Sequence, residues 1–199
     1  MVYAEQKLGV FIEDTYGNLY RHNEWPSSGR KKNAIVILTN SVKRRLAFDH
    51  AQSCPQSFNH INARNYLSSV DEATAKTLYN GKSNTEKLYQ AAYEDDINLN
   101  SNVNFVWPNG DTGSHLPSLG ELMLIYNNKD AINTCLKVFG TYERLPSSFC
   151  WSSSVAEYSD GNDYTYFYCL NLYSDGPEIV WGEGSNGALG YQMLRMSNY

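Results

Sequence analysis

The chain has 199 residues, the length of one large domain or two small ones; at 42% hydrophobic and 14% aromatic it can fill a single core, so one domain is expected. Its net charge of −5 falls in the last quarter, because residues 1–150 carry 15 basic and 15 acidic side chains whereas residues 151–199 set Arg195 against six acids. Such a surface argues against a nucleic-acid partner, and no run nears the roughly 20 apolar residues that would span a bilayer. Met1-Val-Tyr-Ala-Glu lacks the basic start and apolar stretch of a secretion signal, so for an exported protein the signal is expected outside this chain.

In chain order, residues 1–60 read as a β-rich opening. Val10-Phe11-Ile12 and Tyr16-Gly17-Asn18-Leu19-Tyr20 have the form of a hairpin turning at Gly17-Asn18. Trp25-Pro26 to Gly29 is a loop, and the unbroken apolar run Ala34–Leu38 predicts a strand buried on both faces. Arg45–Phe48 can pair with it across Thr39-Asn40-Ser41. The basic clusters Lys31-Lys32 and Lys43-Arg44-Arg45 read as solvated strand ends rather than a nucleic-acid patch.

Residues 61–140 have helical character. Ser68 or Ser69 is placed to cap a segment carrying Ala73, Lys76, Thr77 and Leu78; Asn80-Gly81-Lys82 then breaks it, and Asn84–Ala92 starts a better helix with Leu88, Ala91 and Ala92 inward. Residues 94–115 read as an Asn/Gly-rich connection with one apolar island, Phe105-Val106-Trp107, a loop tied down by Trp107. Ser118 and Glu121 make a capping-box pattern, and Leu119, Leu122, Met123 and Tyr126 recur at helical spacing, with Leu124 and Ile125 on the other side, predicting a core helix. A second helical pattern runs through Ile132, Cys135, Leu136 and Phe139, with Gly140 placed to end it.

Residues 141–199 return to β. Cys150-Trp151-Ser152-Ser153-Ser154 reads as a strand with Trp151 in the core, and Tyr164–Leu172, Glu178–Trp181 and Leu189–Met196 read as further strands, with Asp175-Gly176 as a hairpin turn. Thr165, Phe167 and Cys169 alternate with Tyr166, Tyr168 and Leu170, both sets largely apolar. Cys54, Cys135, Cys150 and Cys169 have no C-x-x-C spacing and the four histidines lie far apart, so no zinc motif appears; buried free thiols are the favoured reading, with a Cys150–Cys169 bridge left open.

The chain offers little catalytic chemistry. Gly182-Glu-Gly184-Ser-Asn-Gly187 matches the letters of the dinucleotide fingerprint, but Leu189–Met196 reads as a strand, not the helix whose N-terminus would hold a pyrophosphate. There is no G-x-S-x-G elbow and no cysteine beside an activating histidine. Neither Trp107-Pro-Asn109-Gly-Asp111 nor Asp160-Gly-Asn162-Asp163 supplies the ligand pattern of a calcium-dependent sugar site, which leaves Asp160, Asn162, Asp163 and Asp175 as the positions to watch. No cofactor, no metal and no catalytic residue is expected.

The composition of residues 151–199 is the informative feature. They hold 7 Tyr, 7 Ser, 6 Gly, 4 Asn and 3 Asp with no lysine, a mixture that combines rigid contact area with adaptable hydrogen bonding, as in antibody paratopes. The bland account is that turn-rich β segments need Gly, Ser, Asn and Asp and that Tyr favours strands. Clustered Tyr and acid exceed what turns require and tilt the reading toward recognition.

"LPSLGELMLIYNNKDAIN" followed by "CWSSS", and preceded by "NGKSNTEKLYQAA", resembles a family of bacterial surface domains of unassigned activity. These share the C-type lectin-like fold in the variant of the formylglycine-generating enzyme. The resemblance extends over most of residues 1–199, strongest at 80–154 and 164–196. It implies an α+β domain, mainly antiparallel sheet with two principal helices that clamp it, and Arg195 as the terminal-strand arginine common in the family. The enzyme depends on dedicated cysteines that Cys150 and Cys169 do not reproduce, so the activity does not transfer with the fold.

Relatives in that family include cell-surface and fimbria-associated ligand binders and targets of retroelement-driven diversification, whose outward residues on the last strands and loops form the binding face. Here these match Tyr158, Asp160, Asn162, Asp163, Tyr164, Tyr166, Tyr173, Trp181, Ser185 and Asn186. The resulting expectation is a cell-surface or secreted adhesin or receptor domain binding an extracellular protein or glycan. An enzyme of the same fold is the runner-up, and a structural module of a fimbria or surface assembly is third.

Overall fold

The computed structural model describes residues 8–53, 65–94, 113–140, 144–158, 165–183 and 191–199, the side chains of residues 48–53, 92–94 and 183 excepted. The chain opens with β1 (Gly9–Asp14) and the short β2 (Leu19–Tyr20), which pair antiparallel as the hairpin expected from Gly17-Asn18. Asp14 closes that turn: its carboxylate accepts the backbone N–H groups of Tyr16 and Asn18 at 2.8 and 2.9 Å. Burial works against the ionised carboxyl, but hydrogen bonds from Asn18, Tyr16 and Tyr20 outweigh it and hold Asp14 below the usual carboxylate range.

β3 (Lys32–Leu38) lies between β1 and β4 (Lys43–Ser53), and Ala34–Leu38 are buried on both faces, as their unbroken apolar run requires. Among the described residues two helices precede the next strand, α1 (Glu72–Ala75) and α2 (Gly81–Glu94). The expected serine cap is replaced by Asp71, whose carboxylate accepts from both the N–H and the hydroxyl of Thr74. Leu88 and Ala91 of α2 point inward as expected. The Ala92 side chain and Phe105-Val106-Trp107 lie outside the described residues.

β5 (Ser114–His115) leads into α3 (Leu119–Asn127), which starts with the full capping box: Ser118 Oγ accepts the Glu121 N–H at 3.3 Å and Glu121 Oε2 accepts the Ser118 N–H at 2.9 Å. Leu119, Leu122, Leu124 and Ile125 are buried, so the helix is enclosed on most sides. α4 (Lys129–Lys137) comes after Asn128 and buries Ile132, Cys135 and Leu136; its cap falls at Val138, so Phe139 rather than Gly140 is the first residue past it.

The rest is β6 (Phe149–Val155), β7 (Tyr166–Asn171), β8 (Glu178–Glu183) and β9 (Gln192–Asn198). Among the described residues the sheet has nine strands in the order β2-β1-β3-β4-β9-β6-β7-β8, with β5 also on β9. Every pairing is antiparallel except β6 with β9. This is a mixed α+β fold dominated by one large sheet. The last strand is central, because β9 inserts between β4 and β6 and joins the two halves of the chain.

Both faces of the sheet are covered. α3 and α4 pack with Val10, Ile12, Ile35, Ile37, Leu46, Tyr166, Tyr168 and Leu170 on one face, and α2 packs with Trp151, Val155, Phe167, Cys169 and Met193 on the other. The alternation read along residues 165–170 therefore divides between two cores. No helix among the described residues is long and apolar enough to cross a membrane.

The serine run of β6 joins these layers. Ser152, Ser153 and Ser154 are all buried; Ser154 Oγ accepts the Leu119 N–H at 3.0 Å, the Ser153 N–H donates to Pro117 O at 2.8 Å, and Asn84 Nδ2 donates to Ser153 O at 3.0 Å. Small hydroxylic side chains satisfy backbone groups that a buried strand end and a buried helix start would otherwise leave orphaned.

Candidate ligand-binding face

The β7–β8 hairpin carries the expected recognition residues to the edge of the sheet. Its register opposes Tyr168 to Trp181 and Tyr166 to Glu183, so Tyr166 is the diagonal neighbour of Trp181 on the same face. Beyond β6, Val70 and Ala156 form an isolated bridge and the Ala156 N–H donates to Tyr166 O at 2.8 Å, which brings Tyr158 beside both rings.

The outcome is a three-ring cluster. Tyr158 stacks on Trp181 with centroids 3.8 Å apart and planes 19° from parallel; Tyr166 meets Tyr158 edge-on at 4.8 Å and Trp181 edge-on at 5.9 Å. Trp181 keeps 48% of its surface exposed although Tyr158 covers one side of the indole. Such a surface can accept an apolar, sugar or cationic group without reorganising.

Tyr166 departs from the expected outward placement. It is 5% exposed and belongs to the core between the sheet and α3–α4, because β7 is flanked by β6 and β8 and covered on both faces. Its role in the cluster is to back the other two rings. Tyr173 is 57% exposed but sits past the opposite end of β7, away from Trp181. Asp160, Asn162, Asp163, Tyr164, Ser185 and Asn186 lie outside the described residues.

Asp175-Gly176 also behaves differently from the two-residue turn expected. The β7–β8 connection runs over residues 172–177 and is held internally, Ser174 Oγ donating to Asn171 O at 3.1 Å and Asn171 Oδ1 accepting the Tyr173 N–H at 3.0 Å. Asp175 is exposed there, and among the described residues no three His, Cys, Asp or Glu side chains come together as a metal site.

The described cysteines, Cys135, Cys150 and Cys169, are buried thiols outside any disulfide; Cys54 lies outside the described residues. Cys150 pairs in register with Leu170 while Cys169 pairs with Trp151, so the two thiols project into different cores and no bridge between them forms. Burial pushes the Cys150 thiol upward and the Cys135 thiol up to about 11, Arg21 only partly offsetting the latter. Gly182, the first glycine of the dinucleotide-like letters, is buried in β8, where a Cβ would meet the Trp151 ring at 2.6 Å, so packing on Trp151 accounts for the glycine.

Sequence reasoning missed a buried ionic cluster. Glu121, besides completing the capping box, accepts from Arg44 Nε and from His115 Nε2 at 3.3 Å, and the side chains of His115 and Glu121 are both 0% exposed. Arg44 also donates to Tyr79 O at 3.0 Å. Arg45, on the other side of β4, donates to both carboxylate oxygens of buried Glu13 at 2.8 Å. The basic stretch Lys43-Arg44-Arg45 is thus no solvated strand end: alternate side chains of one strand neutralise two carboxylates that burial would otherwise penalise. The capping spacing of Ser118 and Glu121 was the only local signal of it.

Comparison with protein-family models, with curated proteins and with solved structures gave no match to this chain.

Proposed function

We propose that this chain is a non-catalytic ligand-binding domain of adhesin or receptor type, with the C-type lectin-like fold, displayed at a cell surface or secreted, and that its ligand is a protein or glycan. The reading is carried by one observation: Trp181 stands half exposed on the outer strand of the sheet, stacked on Tyr158 and backed by Tyr166. Aromatic anchors on a rigid support are the residues that dominate binding free energies. Burial makes the thiols of Cys135 and Cys150 poor nucleophiles, so neither of them favours the enzyme reading. The helices on both faces of the sheet support the lectin-like assignment, in which paired helical segments hold a frame for a C-terminal face.

A glycan and cell-surface protein array finds the ligand, and two kinds of substitution test the face. Trp181→Ala and Tyr158→Ala should each weaken binding by tenfold or more while the melting temperature stays within a few degrees of the parent. Tyr166→Ala should instead cost about 3 kcal/mol of stability, as expected for a core aromatic. Binding of the array hit that survives both of the first two substitutions overturns the assignment.

A further inference from the structure

The geometry points to a second binding site, for the acidic group of a saccharide, in a cleft remote from the aromatic cluster. The cleft, about 490 Å³, lies between α4, the β7–β8 connection and the chain at Arg144. That volume suits a small ligand. Its floor is apolar, with Leu145 and Leu172 each 2% exposed. Among the described residues its rim is cationic: Lys129, Lys137 and Arg144 stand against the single carboxylate of Asp130, in contrast to the acidic character of residues 151–199.

The cleft is held in shape by the protein's own bonds. Lys129 Nζ and Tyr126 Oη both donate to Ser174 O, at 2.8 and 3.0 Å, with the ammonium 4.3 Å from the centre of the Tyr126 ring. These contacts tie the β7–β8 connection to the helices and leave the exposed ring of Tyr173 at the rim. Across the cleft, Asn133 Oδ1 accepts the Leu145 N–H at 2.9 Å, which fixes the amide and leaves its NH2 group as the donor a ligand would meet on this lining residue. Thr134 spends its hydroxyl proton on Asp130 O at 2.7 Å and so presents an acceptor.

The combination selects the ligand class. Guanidinium and ammonium groups recognise a carboxylate or sulfate, an exposed tyrosine ring lies against a pyranose face, and an amide donor beside a hydroxyl acceptor matches a polyol. An acidic peptide would need a sheet edge or an apolar groove for its backbone and side chains, and here it would find two leucines. The site is independent of the aromatic cluster: Trp181 pairs with Tyr168, five residues before Tyr173, roughly 15 Å of extended chain away.

Calorimetric titration with oligogalacturonate, a chondroitin sulfate oligosaccharide, a neutral galactose oligosaccharide and oligoglutamate of matched charge tests this. At least one acidic saccharide should bind saturably, and the order of the two assigns carboxylate or sulfate as the group recognised; the neutral sugar and the peptide should bind at least tenfold more weakly. Arg144→Gln and Lys137→Gln, both at exposed positions that folding does not need, should each weaken binding about tenfold. Tyr173→Ala should weaken both acidic saccharides, and Trp181→Ala should leave them unchanged. The proposal is overturned by absence of saturable binding to either acidic saccharide, by equal binding of oligoglutamate, or by natively folded Arg144 and Lys137 variants that bind like the parent.

Discussion

Glu121 shows how much one side chain can carry. Burial alone would push its carboxyl above the ordinary 4.5, but the hydrogen bond and charge of His115, the Ser118 N–H and the charge of Arg44 outweigh it and hold the group at about 2. The folded value lies below the unfolded one, so ionised Glu121 stabilises the fold fully above about pH 4.5, and that contribution is lost as the pH falls from there toward 2. A shift of this size corresponds to on the order of 3 kcal/mol. Urea midpoints measured from neutral pH down to pH 3 should therefore fall, and in Glu121→Gln the fall should be shallower while stability at neutral pH drops by about 3 kcal/mol, because Arg44 is left without its carboxylate. An acid profile unchanged by the substitution would remove Glu121 from this role. The cap between Ser118 and Glu121 was legible because its partners are three residues apart; the bond to Arg44 was not, because 77 residues separate the pair.

At the scale of elements, the start of α2 is the instructive case. Asn80-Gly81-Lys82 reads as a break, yet Gly81 is the first residue of the helix. A Cβ there would lie 2.7 Å from Leu116 O and 2.8 Å from Ser118 N, so the glycine is required by the approach of α2 to the chain entering α3, not by a turn. Helix propensity alone would make Gly81→Ala stabilising by up to about 1 kcal/mol. Against backbone atoms that cannot yield, the substitution should instead cost about 2 kcal/mol and lower the melting temperature by about 5 °C. Thermal melts decide the sign, and a gain in stability would contradict this packing. The docking of helix starts also explains two serines of β6: a strand read from its pattern alone gives no reason for buried hydroxyls, whereas the Leu119 N–H on Ser154 and the Asn84 amide on Ser153 do.

For the whole molecule, the sheet separates two cores yet ties their fates together through β9. Cys135 and Cys150 lie in one core and Cys169 in the other, so alkylation followed by mass spectrometry of the individual peptides reports on both. With the sheet as a common wall, all three thiols should become reactive in a single denaturant transition, and a reductant should leave the melting temperature unchanged. Labelling of Cys169 well before Cys135 and Cys150 would mean that the α2 face opens by itself. Local periodicity determined much of this architecture in advance: the β1–β2 hairpin, the doubly buried β3, the capped α3 and the two-faced β7 all derive from spacings within a few residues. Composition likewise determined that tyrosine and acid would gather in the last quarter. Only the tertiary structure decided that Tyr166 turns inward while Trp181 stays at the surface, that Arg44 serves a helix far along the chain, and that cations from α4 meet Tyr173 across a cleft. A period of two states that a strand has two faces, not which of them will be covered. Contacts between distant segments leave no local pattern from which to read them.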